Sequence, residues 1–313
     1  LHANDRMGQM ELLRRYALPL FLVAVVACLL PRLLGHEVKG AFRWIRFAGM
    51  QFQPVEPARF FMVLAVSWLL ARAGTGVRGF RHGFLPAIGC TGLLAGALLC
   101  QPDHGNALLV FALAGVLAVI AGVRVVYCGP LLVCGFVMLA FSAAQHDYVR
   151  RRAEALFAIE PNSQVGLGLI AIGSGGVLGR GLGQGWMKMN HVPEAHNDFV
   201  FAIVAEELGF VGAAFVLGSF TLFGYLCFRL IANVKDPFLR YVACGYALMI
   251  CMQAAVNLLV VSGWAPAKGI DLPFVSTGGT SLVFCLAGVG LIGNVVRADR
   301  DAAFSTAVEA RAS

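Results

Sequence analysis

The sequence predicts an all-α polytopic membrane protein: a bundle of about eight transmembrane helices with one large extracytoplasmic loop. Composition is the first reason, since 59% of the 313 residues are apolar, only 13% are charged and mean hydropathy is +0.77, which excludes a soluble globular domain. The second is the length of the apolar runs, which reach the roughly 20 residues that carry a helix across hydrocarbon. The third is that these runs lack the two-residue alternation of a barrel wall.

Spans are expected at about 16–34, 57–73, 83–100, 106–122, 125–144, 199–228, 241–262 and 276–296. Each run is bounded by residues that resist the bilayer. Arg14 and Arg15 precede the first, Arg72 closes the second, and Arg78 and Arg81 introduce the third. The polar stretch Gln101-Pro102-Asp103-His104-Gly105 separates the third from the fourth, and Arg124 the fourth from the fifth. Asp198 opens the sixth, Arg229, Lys235 and Arg240 lie between the sixth and seventh, and Arg297 follows the eighth. Pro130, Gly212, Gly218, Gly288 and Gly290 inside the runs are tolerable because neighbouring helices re-satisfy the backbone. The first run is long enough to span, so no cleavable signal peptide is expected. The nine cysteines lie mostly inside spans without a C-x-x-C pair and read as small packing residues.

An even number of spans puts both termini on one side. Thirteen of the 24 Lys and Arg residues fall on that side, mostly in short loops, which favours cytoplasmic termini: an N-terminal segment at 1–15 and a polar tail at 297–313. The remaining eleven weaken the orientation signal and need another reason to be there. An anionic ligand such as a lipid-linked diphosphate supplies one, and pairing with outer carboxylates or lipid phosphates supplies a plainer one.

The largest stretch outside the spans is 145–198, long enough to be functional rather than a connector. It carries Arg150-Arg151-Arg152 and then an apolar, glycine-rich run, Gly173 to Gly181, that suits a re-entrant or surface-lying element. No nucleotide-binding glycine motif, H-E-x-x-H or paired-cysteine metal frame is present, and no nucleic-acid partner is expected.

At the end of this loop stands Pro193-Glu194-Ala195-His196-Asn197-Asp198. Carboxylates and a histidine where a span begins are costly, so Asp198 is the first candidate for catalysis, with Glu194 and His196 supporting it. A plain helix N-cap is the alternative for Asp198, because a helix start favours an ionised carboxylate. Glu206 and Glu207, two turns further on, read equally as a structural anchor or a proton path and receive no catalytic role. Three further segments fall on the same side: Gly40 to Arg46, Gln101 to Gly105, and Pro266 to Gly269.

Taken in order, these motifs resemble those of the SEDS family (shape, elongation, division and sporulation), the FtsW/RodA/SpoVE group. The resemblance rests on G-A-x-R-W-I with Q-P-x-E (Gly40 to Ile45, Gln53 to Glu56) and Q-P-D-x-G (Gln101 to Gly105). It continues through I-A-I-G-S-G-G with G-x-G-x-G (Ile170 to Gly185) and P-E-A-H-x-D-F with E-E-L-G (Pro193 to Gly209). The last motif is P-x-K-G with L-P-x-x-S-x-G-G-[ST]-S (Pro266 to Ser281). Departures from the family pattern fall at Thr277, Asn197, Phe42, Val55 and Pro57. The family typically has about ten spans, and the match here begins before the third, so the first two are expected to be absent from this chain.

The resemblance implies a peptidoglycan glycosyltransferase of the bacterial cytoplasmic membrane that polymerises lipid II and releases undecaprenyl diphosphate, in cell division or elongation. It places the essential acid on Asp198 and the cations that meet the diphosphate on Arg43 and Lys268. Trp44, Glu194, His196, Gln101, Asp103 and Ser276 are expected to support them. It leaves room for a divalent cation, Mg or Mn, and implies partnership with a class B penicillin-binding protein and other divisome or elongasome proteins within the lipid bilayer. Two other readings of the same residues stay open: a transporter that flips lipid-linked sugars, and an inactive scaffold of the cell-wall machinery.

Overall fold

A computed structural model describes residues 2–34, 44–47, 50–129, 159–186, 198–266 and 269–312, with residues 135 and 150. The long helices are α1 (His2–Leu34), α2 (Val55–Ala73), α3 (Leu85–Leu99) and α4 (His104–Ala121), a short α5 (Gln164–Gly175), then α6 (Val200–Ile231), α7 (Pro237–Val261) and α8 (Gly279–Ala312). Seven stretches are long and apolar enough to cross a membrane: 7–32, 55–78, 80–99, 104–121, 200–231, 237–261 and 279–302. They correspond to seven of the eight expected spans; the fifth, at 125–144, lies almost wholly outside the described residues.

Three features differ from the expectation. The segment 1–15 is helical from His2, so α1 reaches roughly 50 Å, longer than a bilayer core. Likewise α8 continues through the expected polar tail to Ala312, because Ala, Arg and Glu after Arg297 propagate a helix and neither Gly nor Pro interrupts it. After α1 an antiparallel hairpin pairs β1 (Ile45–Phe47) with β2 (Met50–Phe52), Ile45 opposite Phe52 and Phe47 opposite Met50. Its I-R-F and M-Q-F segments alternate with the strand period, a signal too short to stand out beside the long runs.

The chain divides into two compact units. The first comprises 1–132, 226–249 and 283–313. Here α1 packs on α2, α2 on α3 and α4, and α3 on α4, burying Phe21, Met62, Leu64, Leu94, Leu98, Leu113 and Leu117. Tyr246 is fully buried, donates its hydroxyl to the Phe60 carbonyl at 3.2 Å and lays its ring 4.6 Å from that of Phe60. An ideal Cβ on Gly245 would lie 2.4 Å from Val63 Cγ1, so glycine there lets α7 approach α2. At the start of α2, Glu56 and Arg59 form a buried ion pair one turn apart.

The second unit comprises 133–225 and 250–282. Ser163 caps α5 by accepting from the Gly166 amide at 3.1 Å. Ala171 of α5 joins Phe199, Ala202, Val260 and Val261 in a buried apolar cluster. Val165 and Leu169 lie beside Gly263, just past the end of α7, while Gly175 presses on the Ala205 carbonyl. The short helix therefore packs beside the first turns of α6.

At that depth α6 is broken. Gly209 adopts φ 66, ψ −158 inside the helix, roughly 13 Å from its start. A break frees carbonyls before it and amides after it, and hydrocarbon offers them no partner. The glycine-rich turn after α5 takes both sets. The amides of Arg180 and Gly181 donate to the carbonyls of Glu206 and Glu207, each at 3.0 Å. In return the Gly176 and Val177 carbonyls accept from the amides of Phe210 and Val211 at 2.9 and 3.3 Å. A Cβ on Gly179, whose φ is +79, would fall 2.1 Å from the Glu207 carbonyl oxygen.

Two outcomes are expected of thermal unfolding in detergent. Glu56→Gln removes the carboxylate that pairs with buried Arg59, at an expected cost of about 3–5 kcal/mol, whereas replacing both by methionine recovers most of that loss. Gly179→Ala costs about 2 kcal/mol or more through its left-handed backbone and the clash with α6.

Candidate functional site

Glu206 and Glu207 are placed by this break. The Glu206 carboxylate is 1% exposed, accepts from the Trp186 amide at 2.8 Å and lies 3.8 Å from the Arg180 guanidinium. Gly185 approaches both carboxylates, its ideal Cβ falling 3.0 Å from an oxygen of each. Of the two roles left open, these contacts fit the anchor: the acids tie the glycine-rich turn to α6.

Asp198 is half-buried and stands two residues ahead of the first helical residue, Val200. The first turn is received by Phe199, whose carbonyl accepts from the amides of Ala202 and Ile203 at 2.9 and 3.4 Å. The Asp198 carboxylate instead faces Gly269 of the P-A-K-G loop, where an ideal Cβ would lie 2.9 Å from Oδ2. A Cβ there would press on the end of the Asp198 side chain. Lys268 itself lies outside the described residues, as do Arg43, Glu194 and His196.

Both loops are fastened to α7. Asn257 Nδ2 donates to the Asp198 carbonyl at 2.9 Å and to the Ile270 carbonyl at 2.7 Å. One turn away, Gln253 Nε2 donates to the Asp271 carbonyl at 3.0 Å and to Ser281 Oγ at 3.3 Å. Both side chains are 1% exposed. Ser276, expected to support the site, closes the turn beyond: its hydroxyl accepts from the Leu272 amide at 2.8 Å and its own amide donates to the Leu272 carbonyl at 3.0 Å. Within this turn Phe274 has φ 65, a conformation that strains a residue with a Cβ. The Asp271 carboxylate packs against Gly278 at the head of α8, where a Cβ would lie 2.1 Å from Oδ2.

Trp44, Gln101 and Asp103 belong to the first unit. Trp44 is half-buried and leads into β1. Gln101 and Asp103 are buried, and Asp103 caps α4, accepting from the Asn106 side-chain amide at 2.7 Å and its backbone amide at 3.4 Å. Among the described residues no three His, Cys, Asp or Glu side chains converge as metal ligands.

Reading the sequence motif by motif passes over Asn257, Gln253 and Asp271. A signal for the first two was present. Two amides four residues apart, inside the apolar run 241–262, share one helix face, and polar groups at that depth are costly unless used.

The family model described as "Cell cycle protein", covering FtsW, RodA and SpoVE, matches residues 7–301. Over 295 residues the chain is 34% identical to the probable peptidoglycan glycosyltransferase FtsW of Trichlorobacter lovleyi, covering 91% of this chain and 77% of that protein. Among solved structures, a chain from a peptidoglycan synthase complex that coordinates polymerization and crosslinking superposes with a TM-score of 0.74 at 30% identity, covering 92% of this chain and 82% of that one. The rod shape determining protein RodA of Thermus thermophilus superposes with a TM-score of 0.65 at 30% identity, covering 92% and 80%.

The Asp198–Gly269 contact gives a direct test. Gly269→Ala displaces the carboxylate by a few tenths of an ångström, and activity is expected to fall about tenfold or more with the unfolding temperature nearly unchanged.

Proposed function

The chain belongs to the FtsW/RodA/SpoVE family of cell cycle proteins, and we propose that it polymerises lipid II into glycan strands as a peptidoglycan glycosyltransferase, with Asp198 as its base. The observation that carries the assignment of the base is the seat of that carboxylate. It lies at the mouth of α6, half-exposed, against the backbone of the loop that bears Lys268 in sequence, with both loops fixed by one buried amide.

The reaction joins the 4-hydroxyl of one sugar to the anomeric carbon of another. As the new C–O bond forms, Asp198 takes the hydroxyl proton, a step worth about 10²- to 10⁴-fold. The bond from the anomeric carbon to the diphosphate breaks, and the electron pair leaves with undecaprenyl diphosphate. Arg43 and Lys268 stabilise the charge that develops there. One carboxylate and a single displacement give inversion at the anomeric carbon.

A divalent cation, were one bound, would add positive charge beside the departing diphosphate. The transport reading leaned on Glu206 and Glu207, and the contacts of Glu206 with Trp186 and Arg180 favour an anchoring role for that residue. We further assign the protein to the bacterial cytoplasmic membrane with both termini cytoplasmic, working beside a class B penicillin-binding protein that crosslinks the strand.

Asp198→Asn preserves shape and removes the base. Incubated with lipid II and its transpeptidase partner, the purified variant is expected to make glycan chains about 10²- to 10⁴-fold more slowly, as read by gel. Polymerisation at the parental rate would falsify the assignment.

A further inference from the structure

Asn257 lies in the membrane-spanning part of α7, touches no outer surface and is 1% exposed. Its side-chain amide has two N–H groups, and each meets a backbone carbonyl from a different loop: Asp198 at 2.9 Å and Ile270 at 2.7 Å. The orientation is determined by this pairing, because a flipped amide would set its oxygen against two carbonyl oxygens. The oxygen Oδ1 is then left buried without a hydrogen-bond partner among the described residues. Leaving a buried acceptor unsatisfied is unfavourable, so packing alone does not explain an asparagine there.

We infer that Asn257 is a positioning residue for the glycosyl transfer: it holds the Asp198 loop and the P-A-K-G loop in one register, so that the Asp198 carboxylate stays seated on Gly269. This rests on Asp198 being the base. The two carbonyls come from segments more than 70 residues apart in the chain, and each flanks a functional atom. One belongs to Asp198 itself, and the other lies one residue beyond the glycine its carboxylate touches. A single donor group thereby fixes the backbone of Asp198 against that of Ile270. Gln253 repeats the device one turn deeper, on Asp271 and Ser281, which leaves Asn257 as the member nearest the base.

The test uses the full-length protein with its transpeptidase partner and lipid II as substrate. Asn257→Leu keeps the approximate shape without donors, and Asn257→Asp keeps the shape but presents only acceptors when ionised. Both are expected to lower kcat about 10- to 100-fold while KM for lipid II stays within about threefold. Amide hydrogen exchange should rise together at 198–203 and 269–272 and remain parental elsewhere. Ser262→Ala, which removes a hydroxyl bonded only within its own helix end, serves as the control with parental rates. Should Asn257→Leu fail to fold, Asn257→Ser carries the same measurements. Parental kcat in a folded Asn257 variant, or a rise in KM that accounts for the whole loss, overturns the inference. Asp198→Asn run in parallel separates the two claims: an inactive Asp198 variant beside a fully active Asn257 variant sinks only the positioning role, while an active Asp198 variant sinks the base and this inference together.

Discussion

Hydrocarbon cannot hydrogen-bond a peptide group, and the second unit is organised around one place where that constraint is met by exchange. Helix α6 breaks at Gly209, and the glycine-rich turn gives two amides and takes two. The turn must lie almost backbone to backbone with α6, which is why Gly175, Gly179 and Gly209 each stand where a Cβ would clash with main-chain atoms. Glu206 adds a charged acceptor for the Trp186 amide and for Arg180. The first turns of α6, with Asp198 just ahead of them, are thus braced by α5 and its turn on one side and by the buried end of α7 on the other.

The same economy recurs at the loops. Irregular backbone beside a span needs donors for its carbonyls, and α7 supplies them from two side-chain amides on one face. Loop geometry is thereby set by a rigid helix rather than by the loops themselves. A base that must meet a hydroxyl within hydrogen-bond reach benefits from such support, because small displacements are expensive in rate.

Much of the fold was legible because a bilayer imposes a coarse code. Long apolar runs bounded by polar and charged residues located the seven described spans. What stayed hidden depends on short or non-local signals. The β1–β2 hairpin has three residues per strand, and the extension of α8 depends on helix propensity in a stretch that looked merely polar. At the site, Asp198 stood out by its cost, while the Phe199 carbonyl that accepts the first-turn amides and the approach of Gly269 to the Asp198 carboxylate appear only in three dimensions. Gln101, Asp103 and Ser276 are visible as polar motif residues, yet the capping and turn-closing bonds of Asp103 and Ser276 are visible only in three dimensions. Asn257 went unread because its partners are carbonyls, which leave no mark in a sequence.

The exchange at Gly209 also bears on biogenesis. Residues 176–181 leave the ribosome before 206–211, so when the broken stretch of α6 reaches the translocon, the strip of main chain that completes it has already been made. Inserted alone, α6 would carry a gap in its ladder into lipid; inserted as a hairpin with the preceding turn, it arrives sealed.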